Sequence, residues 1–171
     1  MENEIKKIIS ESICDFHLPS YTIIPDVGLY LEQVTKYISD YLTPLGNVSI
    51  TGSMISNYVK KDLIDNPVRK QYSRDQIAYL MFIVLAKSVL SLEDIQLLFQ
   101  LQKQTYEAQR AYDYFCKEFE NILYYVFGLK DTLDEVGSDH TETKTLLRTS
   151  IIAIAHKIYL DKCFSLLSEK L

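Results

Sequence analysis

Residues 53–64 read SMISNYVKKDLI, a short helical pattern divided into two sides. Ile55, Tyr58, Val59 and Leu63 fall on one side, and Ser53, Ser56, Asn57 and Lys60 on the other. A face meant only for water usually carries Glu and Lys. Small hydroxyls and an amide are instead groups that can donate to and accept from a partner. An asparagine amide can pair with the edge of adenine, and lysines meet phosphates. Lys61 follows directly, the turn-like DNPVRKQ (65–71) carries Arg69 and Lys70, and Arg74 opens the next helical pattern. This chemistry suits a nucleic-acid reader: Ser53, Ser56 and Asn57 for base edges or phosphates, and Lys60, Lys61, Arg69, Lys70 and Arg74 for phosphates.

The charge distribution agrees with that local reading. The chain of 171 residues has a net charge of -5, yet residues 49–90 hold six basic and three acidic groups, or +3. Residues 91–145 hold five basic and eleven acidic groups, or -6. The chain as a whole is not built like a polyanion binder, whereas this one segment could form a basic patch.

Other chemistries find little support. PLGN and ITGS lack the further glycines of a phosphate-cradling loop. Cys14 and His17 form a lone Cys-x-x-His without a second pair, so no zinc site is expected. The carboxylates of 131–142 do not follow calcium-loop spacing. Asp139 beside His140 has no nucleophile near it in sequence, and His156 reads as a partly buried, hydrogen-bonded residue. The expectation is a protein that is not an enzyme and needs no cofactor. Three widely spaced cysteines fit a reducing cytoplasm. The opening MENEIKKIISESICDF lacks a continuous apolar stretch, so no secretory signal is expected there. The longest apolar run, AYLMFIVLA (78–86), is about half the ~20 residues of a membrane span, so no membrane partner is expected.

The elements that must hold these residues read as helices. Five glycines and four prolines are too few for a sheet-rich chain of this length. A weak helix covers roughly 3–14, and Pro19 and Pro25 keep 17–26 extended. Asp26 is placed to cap a helix to about Leu42 with Val27, Tyr30, Leu31, Val34, Tyr37, Ile38 and Tyr41 as its apolar stripe. Thr51 or Ser53 caps the quoted helix. Ser73 with Gln76, and Ser91 with Asp94, mark two further helix starts. The first of these helices is apolar all round and belongs in the core. Long helices follow at 105–127 and about 144–169, separated by the acidic loop 131–143. A soft boundary near residue 102 suggests a head, 1–102, and a C-terminal helical hairpin, 103–171. Tyr106, Tyr112, Tyr114, Tyr124 and Tyr125 could line a pocket for a planar ligand or simply pack that hairpin.

MISNYVKKDLI (54–64), RKQYSRDQIAYLMFI (69–83) and LSLEDIQLL (90–98) resemble, in order, the recognition helix, the wing with its following helix, and the later helix of MerR-family regulators. Ser56 stands where that family carries arginine, Asp62 where it has a turn glycine, and Arg69 where it has the first wing aromatic. LPSYTIIPDVGLYLEQVTKYI, with MISNYVKKDLI, KQYSRDQIAYL and KSVLSLEDI, is similar to the YkrK-like family of Gram-positive bacteria, a domain of unknown function. The resemblance implies an all-α fold: a MerR-like winged helix-turn-helix head followed by two long antiparallel helices. It further implies a cytoplasmic transcriptional regulator that binds double-stranded DNA as a homodimer and answers to a small-molecule effector. The competing expectation is a helical interaction or ligand-sensing module whose head is vestigial.

Overall fold

The helix that the sequence makes apolar on every side is the centre of the molecule. In the computed structural model, which describes residues 2–169, α4 (Arg74–Ala86) buries Ile77, Ala78, Leu80, Met81, Phe82, Ile83, Val84, Leu85 and Ala86. It packs against α2 (Leu31–Leu42), α6 (Ala108–Val126) and α7 (Glu142–Ser168). The Ser73 hydroxyl accepts from the Gln76 N–H, and Gln76 Oε1 accepts from the Ser73 N–H at 2.8 Å, so the capping box forms as expected. Among the described residues the remaining elements are α1 (Glu2–Glu11), α3 (Gly52–Lys60), α5 (Leu92–Thr105), single 3-10 turns at Tyr21–Ile23 and Thr43–Leu45, and a two-stranded antiparallel sheet. The fold is therefore mostly helical with a small sheet. One connected core runs from Ile9 to Ile158. No described helix is long and apolar enough to cross a membrane.

The sheet joins β1 (Leu29–Tyr30) to β2 (Gln71–Tyr72), with Leu29 opposite Tyr72 and Tyr30 opposite Gln71. β1 replaces the expected first turn of α2. Gly28 has φ +75°, Val27 is 80% exposed, and Gln33 Oε1 caps the Tyr30 N–H at 2.9 Å. A helix begun at Asp26 would have consumed the residues that pair with β2. The expected stripe holds from Leu31 onward, with Val34, Ile38 and Leu42 buried.

The two long helices run parallel, which corrects the expected antiparallel hairpin. Thr143, near the start of α7, reaches Thr105 just before α6 begins. Farther along, Arg148 meets Glu118, and Phe127 meets Tyr159. Both partners advance together along the chain, as only parallel helices allow. α6 spans about 28 Å, and the fifteen residues 127–141 reach up to about 50 Å when extended, so the connection can double back. Asn121 holds the returning strand: its Oδ1 accepts from the Asp134 N–H and from Lys130 Nζ, and its Nδ2 donates to the Asp134 carbonyl.

Candidate nucleic-acid interface

α3 owes its limits to both ends. The Thr51 hydroxyl accepts from the Met54 N–H. At the other end the Leu63 N–H reaches the Tyr58 carbonyl at 3.0 Å and the Asp62 N–H reaches Val59, the paired bonds of a Schellman stop. That stop puts Asp62 at φ +56°, where glycine is the usual residue. Ile55 and Tyr58 are buried, while Ser53, Asn57 and Lys60 are exposed and Ser56 is half-buried. The polar side read from sequence is thus the outward side of a short, capped helix.

Ser53, Ser56, Asn57 and Lys60 share one open cleft of about 770 Å³ with Leu31, Glu32, Thr35 and Lys36 of α2. The α2 wall was not singled out from the sequence, although the i, i+4 spacing of Glu32 and Lys36 marks them as neighbours. Lys36 is bonded to Asp40 at 2.6 Å. Beneath α3, Lys87 Nζ donates to the Ser49 carbonyl at 2.7 Å and lies 3.8 Å from Met54 Sδ, and burial lowers its pKa. This lysine braces the entry to α3.

Arg69 and Lys70 form the tip of a two-residue hairpin closed by Val68–Gln71 hydrogen bonds of 3.1 and 2.9 Å. Their φ angles are +53° and +63°, the geometry of a type I′ turn, which ordinarily selects Asn-Gly. Both side chains are exposed. Arg69 borders a second cleft together with Asp26, Asp65 and Asp75, so the structure does not bring it into the α3 cleft. Lys61 is exposed beyond the end of α3 and lines neither cleft. Among the described residues Lys60, Lys61, Arg69 and Lys70 have no ion-pair partner.

Arg74 is occupied differently. Its Nε donates to the Ile24 carbonyl at 2.8 Å, an Nη donates to Thr22, and its guanidinium lies 5.3 Å from the Tyr21 ring centre and 3.8 Å from Asp26. Only 22% of the side chain is exposed. Its position at the start of α4 was readable in the sequence; its internal duty was not.

The site lies on a mostly helical domain that carries a small two-stranded sheet. Residues 19–115 match the family described as "Domain of unknown function (DUF1836)", and the chain belongs to that family. The match runs from Pro19 through β1, α2, α3, the hairpin, α4 and α5 into α6. No curated protein and no solved structure matches the chain.

Proposed function

We propose that this protein is a DNA-binding transcriptional regulator that reads duplex DNA with α3 and the 68–71 hairpin, as a MerR-like winged helix-turn-helix. The observation that carries the reading is the set of outward cations without internal partners: Lys60 beside the exposed Ser53 and Asn57, Lys61 beyond the end of α3, and Arg69 and Lys70 at the hairpin tip. The order of elements supports it. β1, α2, α3, hairpin and β2 follow one another, and the strand before α2 pairs with the strand after α3, tying helix and wing into one unit. Helix-turn-helix readers contact bases from the N-terminal part of the second helix, where Ser53, Ser56 and Asn57 stand. The resemblance to MerR regulators and to the YkrK-like family supports the same reading. Arg74 acts indirectly in this scheme, by holding the segment that leads into β1.

The regulator works as a homodimer, which doubles the modest interface of one small head. Leu146, Leu160, Phe164 and Leu167 are exposed on α7, and 146, 160 and 167 are separated by fourteen and seven residues, multiples of the heptad that suit a helix-to-helix seam. Fluorescence anisotropy with a labelled duplex from the protein's own promoter region tests the proposal. Lys60→Ala and Lys70→Ala should each weaken binding on any sequence and lower the slope of log K against log salt by about one unit. Absence of salt-sensitive association with any duplex contradicts it. The second reading, a ligand-sensing module, is favoured by a separate observation, a cavity where α6 and α7 begin.

A further inference from the structure

A cavity of about 550 Å³ opens where α6 and α7 both begin. α4 and α5 supply an apolar wall that includes Ala78, Phe82, Leu98 and Phe99. The returning loop, through Asp139, and the first turns of α6 and α7 supply a polar rim. The size is that of a pocket for a small organic molecule.

The lining carries three cations, Arg110, Lys117 and Lys144, against three carboxylates, Glu107, Asp113 and Asp139, of which Asp113 already accepts from the Tyr21 N–H. Because α6 and α7 are parallel, the positive ends of two helix dipoles point to the same place. Glu107, at the start of α6, makes no side-chain cap, so the first-turn amides of α6 lack that partner. Arg110 and Lys144 both face one carboxylate, Asp139, at 3.8 and 3.5 Å. Asp139 also accepts from the Tyr106 hydroxyl, and its pKa is lowered chiefly by that bond. The Tyr114 hydroxyl is buried without a hydrogen-bond partner, and the ring lies under Lys144 Nζ at 5.3 Å. Burial, with the Glu118 charge second, pushes Tyr114 up to about 12, so its proton is retained at neutral pH. A buried hydroxyl left unpaired is costly, and the group that would satisfy this one is an acceptor.

We propose that this cavity binds a small aromatic carboxylic acid, its ring against Phe82 and Phe99 and its carboxylate accepting from Tyr114 at the rim held by Arg110 and Lys144. The apolar wall sets the body of the ligand, and the unpaired Tyr114 hydroxyl, with Lys144 over its ring, sets the polar end. This site is independent of the DNA reading, and its test contains no DNA.

The probes are 2-naphthoate and its neutral counterpart 2-naphthalenemethanol, titrated by calorimetry into the full chain. The wild-type protein should bind the acid with Kd below about 1 mM and the alcohol at least about fivefold more weakly. Tyr114→Phe should weaken the acid about tenfold and change the alcohol less than about twofold, because only a charged hydrogen bond is lost. Ala111→Phe, which fills the cavity from a half-buried position, should abolish both. Circular dichroism establishes that each variant is folded, and Tyr114→Phe decides the matter alone if Ala111→Phe is not. The proposal is overturned if the wild type binds neither probe, if acid and alcohol bind within about threefold, or if Tyr114→Phe leaves the acid unaffected.

Discussion

The α3 face and the body around α6 and α7 use polar residues in opposite ways. In the body, charged and amide groups turn inward and are paired: Glu118 with Arg148, Asn121 with Lys130 and Asp134, Asp139 with Lys144. On the head, Lys60, Lys61, Arg69 and Lys70 point outward and hold nothing. Two of them even occupy left-handed turn positions that favour other residues. Polar groups that hold the fold together are constrained by it, and those that contribute nothing to it are free to serve a partner. Arg74 and Lys87 show that the dividing line is not charge or sequence neighbourhood. Both belong to the same basic segment, and both are engaged with backbone carbonyls.

The largest way to sharpen this contrast is to break an inward pair. Glu118 is 1% exposed and Arg148 45%, so Arg148→Ala leaves a buried carboxylate that water reaches only in part. It should cost about 2–3 kcal/mol in urea unfolding, toward the low end for such pairs, and leave DNA binding unchanged at temperatures where the protein is folded. Arg74→Ala should come next, at about 1–3 kcal/mol, since it leaves the buried Ile24 carbonyl unpaired. Its binding loss should follow its unfolding. If Arg74→Ala instead lowered the salt slope in fully folded protein, it would rank with the outward cations and the dividing line would be wrong.

A change of pH probes the buried groups of both regions. Burial is the main reason that Tyr21 and Tyr114 are pushed up to about 12 and that Tyr37 and Tyr112 are also raised. A raised folded-state value contributes stability that is fully present below the unfolded value of about 10 and is lost as pH rises through the folded one. Lys87 and Lys162, lowered by burial, act in the opposite direction but are outnumbered. Stability should therefore hold to about pH 9.5 and fall above 10, with the buried tyrosines' share of the tyrosinate absorbance appearing only with unfolding. Full tyrosinate absorbance reached before unfolding would contradict the packing described for these rings.

The sequence was legible wherever local chemistry decides the outcome. The capping residues Thr51, Ser73 and Ser91 mark the starts of α3, α4 and α5, and the all-round apolar pattern of α4 marks the core. The segment 17–26, expected to be extended by Pro19 and Pro25, instead takes one 3-10 turn at Tyr21–Ile23, and the turn expected at 65–71 closes as a tight hairpin. It was less legible where distant pairing decides. Tyr30 continues a helical stripe by spacing, yet it pairs with Gln71, forty-one residues later. The direction of α7 depends on Asn121 holding a loop that polarity alone describes equally well as a simple turn. Of the tyrosines proposed for a pocket, Tyr106, Tyr112 and Tyr114 line the cavity. Tyr124 instead donates to the Phe16 carbonyl, and Tyr125 is exposed. Parallel helices place the cavity at their shared start, away from these last two residues.

The smallest change in stability gives the most direct test of the central claim. Replacing the hairpin tip by its preferred residues, Arg69→Asn with Lys70→Gly, should stabilise the fold by about 1 kcal/mol, because both positions have left-handed backbone. Binding should move the other way. Anisotropy titrations of a labelled duplex over a series of KCl concentrations should give the double variant a salt slope about two units shallower than the wild type and weaker affinity on every sequence. A double variant that is more stable and binds with the wild-type slope, or a wild-type protein whose association ignores salt, contradicts the assignment of this face to DNA.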